Sequence, residues 1–225
     1  MKSLLRSLSL FSTLITTSSA LSCTQCISAT SLSCSGSSVT CPPGHVCGSS
    51  YGEYVMGGST TPTLIRTCVS SFECDIVGSM SMQQGQIRVA TTCCNNDNCS
   101  PAVPVLPALS SEPNGMVCPS CIHISSTSCS VSDTVQCTGQ ENMCLTAKIS
   151  GSVSASPVIQ GCATKSLCDI GNESLNIGGV MTEVTYICSN DTTRTTTATS
   201  AAQSVHGVLL LTAIVGFLLL KLFSG

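Results

Sequence analysis

Tryptophan is absent from the 225-residue chain, and aromatic mass is thin throughout, with three Tyr and four Phe. Phe11 lies in the N-terminal segment and Phe217 and Phe223 near the C-terminus, so Phe72 is the only Phe of the central region. A domain this poor in large apolar rings struggles to bury enough surface to offset chain entropy, and some other stabilising device is needed. Charge is also scarce, at 8% Asp, Glu, Lys and Arg. Between Leu21 and Ser200 five basic residues (Arg66, Arg88, Lys148, Lys165, Arg194) face eleven acidic ones, a net −6 with no basic cluster. That balance argues against nucleic acid and anionic headgroups as partners. Histidine is limited to His45, His123 and His206, and neither a Gly-x-Ser-x-Gly elbow nor a His-Glu-x-x-His motif occurs. A hydrolytic site needs a base within reach of its nucleophile, and the sequence offers no such constellation. His45, in the Pro-Pro-Gly-His turn, reads as a loop residue. The expectation is a protein that is not an enzyme and carries no cofactor and no metal.

What the chain has in quantity is cysteine. Eighteen Cys lie between Cys23 and Cys188, an even number and a disulfide-scaffold density. The N-terminus supplies the compartment that oxidises them. Lys2 and Arg6 precede an apolar stretch from Leu8 to Ile15, and Ser18-Ser19-Ala20 presents small residues at the cleavage positions of a secretory signal. Residues 1–20 are therefore read as a signal peptide, with Leu21 starting the mature chain. The secretory lumen pairs thiols, and each disulfide contributes ~2–4 kcal/mol where a greasy core is lacking. At the other end, Val208 to Phe223 is almost wholly apolar, a polar Thr-rich spacer precedes it, and Ser200-Ala201-Ala202 is a run of small residues. This is the pattern of a glycosylphosphatidylinositol (GPI) attachment signal, with Ser200, or alternatively Ala198, as the attachment residue. Sixteen residues interrupted by Lys221 are short for a transmembrane helix, which needs about twenty. Residues 192–207 then form a stalk with the anchor site, and residues 208–225 a signal removed on anchoring.

The cysteines also encode a repeat. Cys23, Cys26, Cys34, Cys41, Cys47, Cys68, Cys74 and Cys93 are separated by 2, 7, 6, 5, 20, 5 and 18 residues. Cys118, Cys121, Cys129, Cys137, Cys144, Cys162, Cys168 and Cys188 are separated by 2, 7, 7, 6, 17, 5 and 19. One domain is used twice. Cys94 and Cys99 follow the first set only. Ser100 to Val117, with Pro101, Pro104, Pro107 and Pro113, reads as an extended, non-sheet linker (residues 101–117) that holds the domains apart or at a limited set of angles. Inside the domains, residues 63–69, 86–92 and 183–188 are rich in β-branched side chains, and no eleven-residue window before the C-terminal tail shows a helical period. The fold class is small, antiparallel, disulfide-rich all-β.

Leu21-Ser22-Cys23-Thr24-Gln25-Cys26 resembles the opening strand, and Cys93-Cys94-Asn95-Asn96-Asp97-Asn98-Cys99 the closing motif, of the three-finger domain of the lymphocyte-antigen-6/urokinase-receptor family. The resemblance covers both repeats, residues 21–100 and 118–191, and implies two tandem three-finger (snake-toxin-like) domains. Spacing leaves the connectivity open. The resemblance implies Cys23–Cys47, Cys26–Cys34, Cys41–Cys68, Cys74–Cys93 and Cys94–Cys99 in the first domain, and Cys118–Cys144, Cys121–Cys129, Cys137–Cys162 and Cys168–Cys188 in the second. Two departures stand out. Ser100 occupies the place of the Asn that follows the last Cys in the family, and Ser189 and Arg194 stand opposite Cys94 and Cys99, so the second domain lacks its last disulfide. The two-domain layout also resembles the gamma-type phospholipase inhibitors of snake serum.

Cys23-x-x-Cys26 and Cys118-x-x-Cys121 match zinc or redox spacing, but the lumenal setting favours structural disulfides. Asn172-Glu173-Ser174 and Asn190-Asp191-Thr192 are glycosylation acceptors, and Asn98-Cys99-Ser100 fits formally but has Cys99 expected in a disulfide. Loops on a rigid scaffold carry recognition, and Tyr51, Tyr54, Val55 and Met56, in the outer part of the first domain's second finger, are the candidate contact residues; the alternative is that they pack on the sheet or on the second domain. The functional expectation is a GPI-anchored protein on the extracellular face of the plasma membrane that binds an extracellular or cell-surface protein as receptor, co-receptor or adhesion module. The rival is an inhibitor of a secreted enzyme such as a phospholipase, and shedding from the membrane would make the two overlap.

Overall fold

The computed structural model describes residues 20–123, 133–151, 157–177 and 180–190. The signal segment, Cys129 with its expected bond to Cys121, Arg194, the stalk, the attachment residues Ala198 and Ser200, and the C-terminal apolar run lie outside the described residues.

The first domain contains β1 (Ser22–Ser28), β2 (Ser37–Thr40), β3 (His45–Met56), β4 (Ser59–Ser70), β5 (Val77–Met82) and β6 (Gly85–Cys94). The first finger is β1–β2, the second β3–β4 and the third β5–β6, all antiparallel. The second finger turns through Gly57 and Gly58, both at positive φ (56° and 81°), the pair of left-handed residues that a two-residue turn between twisted strands demands. The second domain contains β7 (Pro113–Pro119), β8 (Cys121–His123), β9 (Thr134–Thr138), β10 (Met143–Gly151), β11 (Val158–Ala163), the single-turn helix α1 (Lys165–Cys168), β12 (Glu173–Ile177) and β13 (Val180–Ser189). The β-branched runs expected as strands fall within β4, β6 and β13.

Covalent cross-links occupy the place of a greasy interior at each base. Cys23 is bonded to Cys47 and Cys41 to Cys68, with the Cys23 and Cys41 sulfurs 3.1 Å apart and all four residues buried. In the second domain Cys118 is bonded to Cys144 and Cys137 to Cys162, with 3.3 Å between the Cys118 and Cys137 sulfurs. The remaining described bonds are Cys26–Cys34, Cys74–Cys93, Cys94–Cys99 and Cys168–Cys188. The sulfur clusters that could be taken for metal sites, Cys23 with Cys41 and Cys68 and Cys118 with Cys137 and Cys162, therefore consist of disulfide sulfurs.

The linker does not hold the domains apart. Along one eleven-stranded sheet the order is β12-β13-β10-β11-β5-β6-β3-β4-β1-β2, with β8 on the free part of β11, and β7 and β9 form a separate hairpin. The domains meet where β11 pairs with β5, Cys162 opposite Ser81 and Ala163 opposite Met80. The linker itself lies on the first domain: Pro101 and Pro104 are buried, Thr92 Oγ1 donates to the Ala102 carbonyl, and Arg88 Nη1 donates to the Pro107 carbonyl at 3.2 Å. Its last part is also not free of sheet, since Pro113 opens β7 opposite Thr138. A proline lacks a donor but is tolerated at the first residue of a strand.

One apolar cluster spans the seam. Met80, Met82, Ile87 and Val89 from the first domain pack with Leu145, Ala147, Ile149, Ile159, Ala163, Leu167 and Val184 from the second. Two strand glycines permit the approach. A Cβ on Gly161 would collide with the Ser81 carbonyl, and one on Gly78 would sit 2.7 Å from Leu167 Cδ2. Backbone that must come this close to another chain segment leaves no room for a side chain.

Candidate functional site

The second finger's outer residues serve the seam as well as the surface. Tyr54 is half-buried against the shared cluster, and its hydroxyl donates to Met56 Sδ at 3.3 Å. Burial raises its pKa. Tyr51 donates to Glu53 Oε1 at 2.7 Å, and burial, then the bond to Glu53, push its phenol up to about 12. Glu53 in turn pairs with Arg88 on β6, its neighbour across the ladder. Val55 and Met56 are half-buried, and the fully exposed tip is Gly57 to Thr60. Of the four residues expected to make contacts, Tyr54 thus packs against the apolar cluster that spans the seam. Packing within the chain, the alternative to an outward contact, is the arrangement observed for it.

The apolar side chains that do face solvent lie elsewhere. Ile27 (59% exposed) and Leu32 (55%) belong to the first finger, between Cys26 and Cys34, and Phe72 (65%) follows β4. The short Cys26–Cys34 loop leaves β1's outward side chain no sheet to cover it. A large apolar residue between two closely spaced Cys is the signal that the sequence offers for this surface, and the tyrosines of the second finger overshadow it.

The closing end of the first domain is tied without the family's usual Asn. Asp97 Oδ1 accepts the Ser22 amide at 2.7 Å, the Asn98 amide donates to the Ser22 carbonyl at 2.7 Å, and Arg66 Nη1 donates to Ser100 Oγ at 2.8 Å. The glycan acceptors divide: Asn172 is half-buried before β12 and Asn190 is exposed after β13. His45 Nδ1 lies 3.3 Å from the Pro43 carbonyl, and His123 is exposed on β8.

A cavity of about 440 Å³ opens beside the seam, between the linker and both domains. The linker contributes Pro107, Ala108 and Leu109, the first domain Ser79 and Gln86, and the second domain Glu141 among others. Glu141 follows the Gly139-Gln140 turn and is 3% exposed. Ser79 Oγ donates to its Oε1 at 2.7 Å, joining the two domains through side chains as well as strands. Oε2 is buried and accepts no hydrogen bond. Burial raises the Glu141 pKa, with the polar groups of Ser79, Ser81 and Gln86 opposing it. Nothing in the sequence marks this residue, because an acid in a Gly-Gln-Glu-Asn turn ordinarily faces water.

Known proteins match the two-domain arrangement. The u-PAR/Ly-6 domain model matches residues 19–102 and again residues 114–195. Phospholipase A2 inhibitor NAI of Notechis ater is 32% identical over 167 residues, 72% of this chain and 82% of that protein. The phospholipase A2 inhibitor 25 kDa subunit of Naja kaouthia is 28% identical over 142 residues, 61% of this chain and 76% of its own. Among solved structures, mouse TEX101 aligns with 73% of this chain and 94% of its own at 19% identity and a TM-score of 0.33. With both repeats matched and the disulfide-stapled fingers in place, the chain belongs to the u-PAR/Ly-6 domain family.

Proposed function

We propose that this chain is a non-enzymatic extracellular binding protein, held on the outer leaflet by a GPI anchor near Ser200, that recognises another protein through its finger surfaces. The observation that carries the reading is the single stapled sheet running through both domains, which fixes the fingers relative to one another. Preorganised loops lose little entropy on binding, and protein interfaces centre on apolar or aromatic anchors. Ile27 and Leu32 on the first finger supply such anchors, with Tyr51 adding contact area on the second. The C-terminal sequence pattern supports the anchor.

The anchor is tested by treating intact cells with phosphatidylinositol-specific phospholipase C: release of the surface protein is expected, and full retention contradicts the anchor. The contact surface is tested by proximity labelling on living cells. Ile27→Asp with Leu32→Asp is expected to lower recovery of the labelled partner about tenfold or more, the size of a hot-spot loss. Equal loss in a Val105→Asp control, on the exposed linker, would remove the first finger from the contact. A second reading, inhibition of a secreted phospholipase A2, is favoured by the similarity to the snake inhibitors. Titration of such an enzyme with this protein is then expected to abolish activity near equimolar ratio, and undiminished activity in excess protein counts against it.

A further inference from the structure

The eleven-stranded sheet has two ends, and they are finished differently. At one end β2 is four residues long, and the closing loop of the first domain reaches it, with Asn98 Oδ1 accepting from Ser38 at 3.2 Å. At the other end lies β12, five residues paired in unbroken register with β13 and, among the described residues, with no strand on its outer side. A bare edge of N–H and C=O groups is a template for another chain, and proteins blunt such edges with Lys, Pro or a bulge. β12 has none of these, and Glu173 is its one charge. What stands at its entry is the acceptor triplet Asn172-Glu173-Ser174. The fold leaves Asn172 available. Its side chain makes no hydrogen bond to a described residue. Asn98, by contrast, has both ends of its side-chain amide engaged and is followed by disulfide-bonded Cys99. Gly171, just before Asn172, takes a φ of 75°, and a Cβ built there would meet only open space.

We propose that Asn172 carries an N-linked glycan that stands over the outer edge of β12 and prevents a second copy of this chain from pairing there. In the transfer step Asn172 Nδ2 bonds to the anomeric carbon of a lipid-diphosphate-linked oligosaccharide. The lipid diphosphate leaves with the electron pair of the broken C–O bond, and the nitrogen gives up one proton. A bulky, solvated group at the first step of a strand obstructs edge pairing without placing charge on the strand itself. Asn190 heads another acceptor triplet, but it follows Ser189, past the part of β13 that β12 covers, Val180 to Val184. It therefore serves as an internal control for this edge. The proposal rests on the extracellular reading above, since the transfer takes place in the secretory route.

The test uses the full chain expressed in mammalian cells. Surface biotinylation first reports passage through the secretory route. A chain that never reaches the surface contradicts the extracellular reading together with this proposal, whereas a surface chain with an unmodified Asn172 overturns this proposal alone. Release of the glycans by an amidase in heavy-oxygen water is expected to leave a labelled Asp at position 172 in peptide maps. Light scattering on the purified protein then measures self-association. Asn172→Gln and Ser174→Ala are expected to associate about tenfold or more tightly than wild type, with hydrogen exchange slowed at β12 and unchanged at β2. Ser174→Thr, which keeps the acceptor triplet, is expected to match wild type, and so is Asn190→Gln, which separates the edge from a general loss of sugar. Enzymatic removal of the glycan from the folded wild-type protein gives the same comparison if a variant fails to fold. Association no tighter in the stripped protein than in wild type, or an equal gain in Asn190→Gln, overturns the proposal.

Discussion

The first domain closes its base with its own residues: Cys94 bonds to Cys99, Asp97 accepts the Ser22 amide, and Arg66 reaches Ser100. The second has Ser189 where the first has Cys94, and it completes itself differently. Seven of its buried apolar residues pack on four from β5 and β6 of its neighbour, and β11 extends the neighbour's sheet. A cross-link and a borrowed hydrophobic face therefore solve the same problem, insufficient apolar mass per domain, in two copies of one unit. The comparison also implies a dependence: the second domain leans on the first for its core more than the first leans on the second for closure.

Breaking equivalent disulfides gives the largest expected effect and tests that dependence. Replacing Cys41 and Cys68 by Ala is expected to destabilise the protein by about 2–5 kcal/mol. Replacing Cys137 and Cys162 is expected to cost more, because Cys162 also sits in register with Ser81 across the seam. Thermal melts and secreted yield measure both, and equal losses would count against a special role for β11. A smaller effect is expected at the glycines. Gly161→Ala should cost about 1–3 kcal/mol, the range of overpacking. Gly52→Ala, whose Cβ would meet its nearest atoms at 3.2 Å within the first domain's own sheet, should cost less, and a reversed order would place the critical contact outside the seam.

Glu141 gives a pH signature of intermediate size. Its folded pKa is raised above the ordinary 4.5. Its contribution to stability is therefore full below that ordinary value and is lost as pH rises through the folded pKa. Wild type is expected to lose stability relative to Glu141→Gln as pH rises from the ordinary value through the raised folded pKa. A difference between the two that does not change with pH would contradict the burial argument. Arg88→Met removes a pair that is only about one-fifth exposed on either side and the hydrogen bond that pins the linker at Pro107, and a loss of about 1–3 kcal/mol is expected in thermal melts.

Much of the fold was legible because cysteine spacing and β-branched runs are local signals. The repeat, the β class and the long strands β4, β6 and β13 follow from them directly. The seam was not legible, because β5 and β11 share only two residue pairs, too short a register for a sequence pattern to specify. Gly161, isolated inside the β-rich run Val158 to Ala163, was the trace of it: a strand glycine marks a close approach by other backbone. Tyr54 was legible as a large contact residue with both an outward and a within-chain reading, and the choice between them depends on the folded cluster it packs against. The prolines read as a spacer, since proline fixes φ locally, while the burial of Pro101 and Pro104 depends on what the folded first domain presents to them. Glu141 had no sequence signal at all.

Native-state hydrogen exchange at the seam tests the central claim most directly. The Thr164 amide donates to the Ser79 carbonyl at 3.0 Å, next to the paired Ala163 and Met80. If the two domains form one body, this amide exchanges as slowly as amides of β3 and β6 in the sheet interior. Exchange at the rate of an exposed loop, with the interior of each domain still protected, would mean that the domains move independently and that the shared sheet is not a stable feature of the protein.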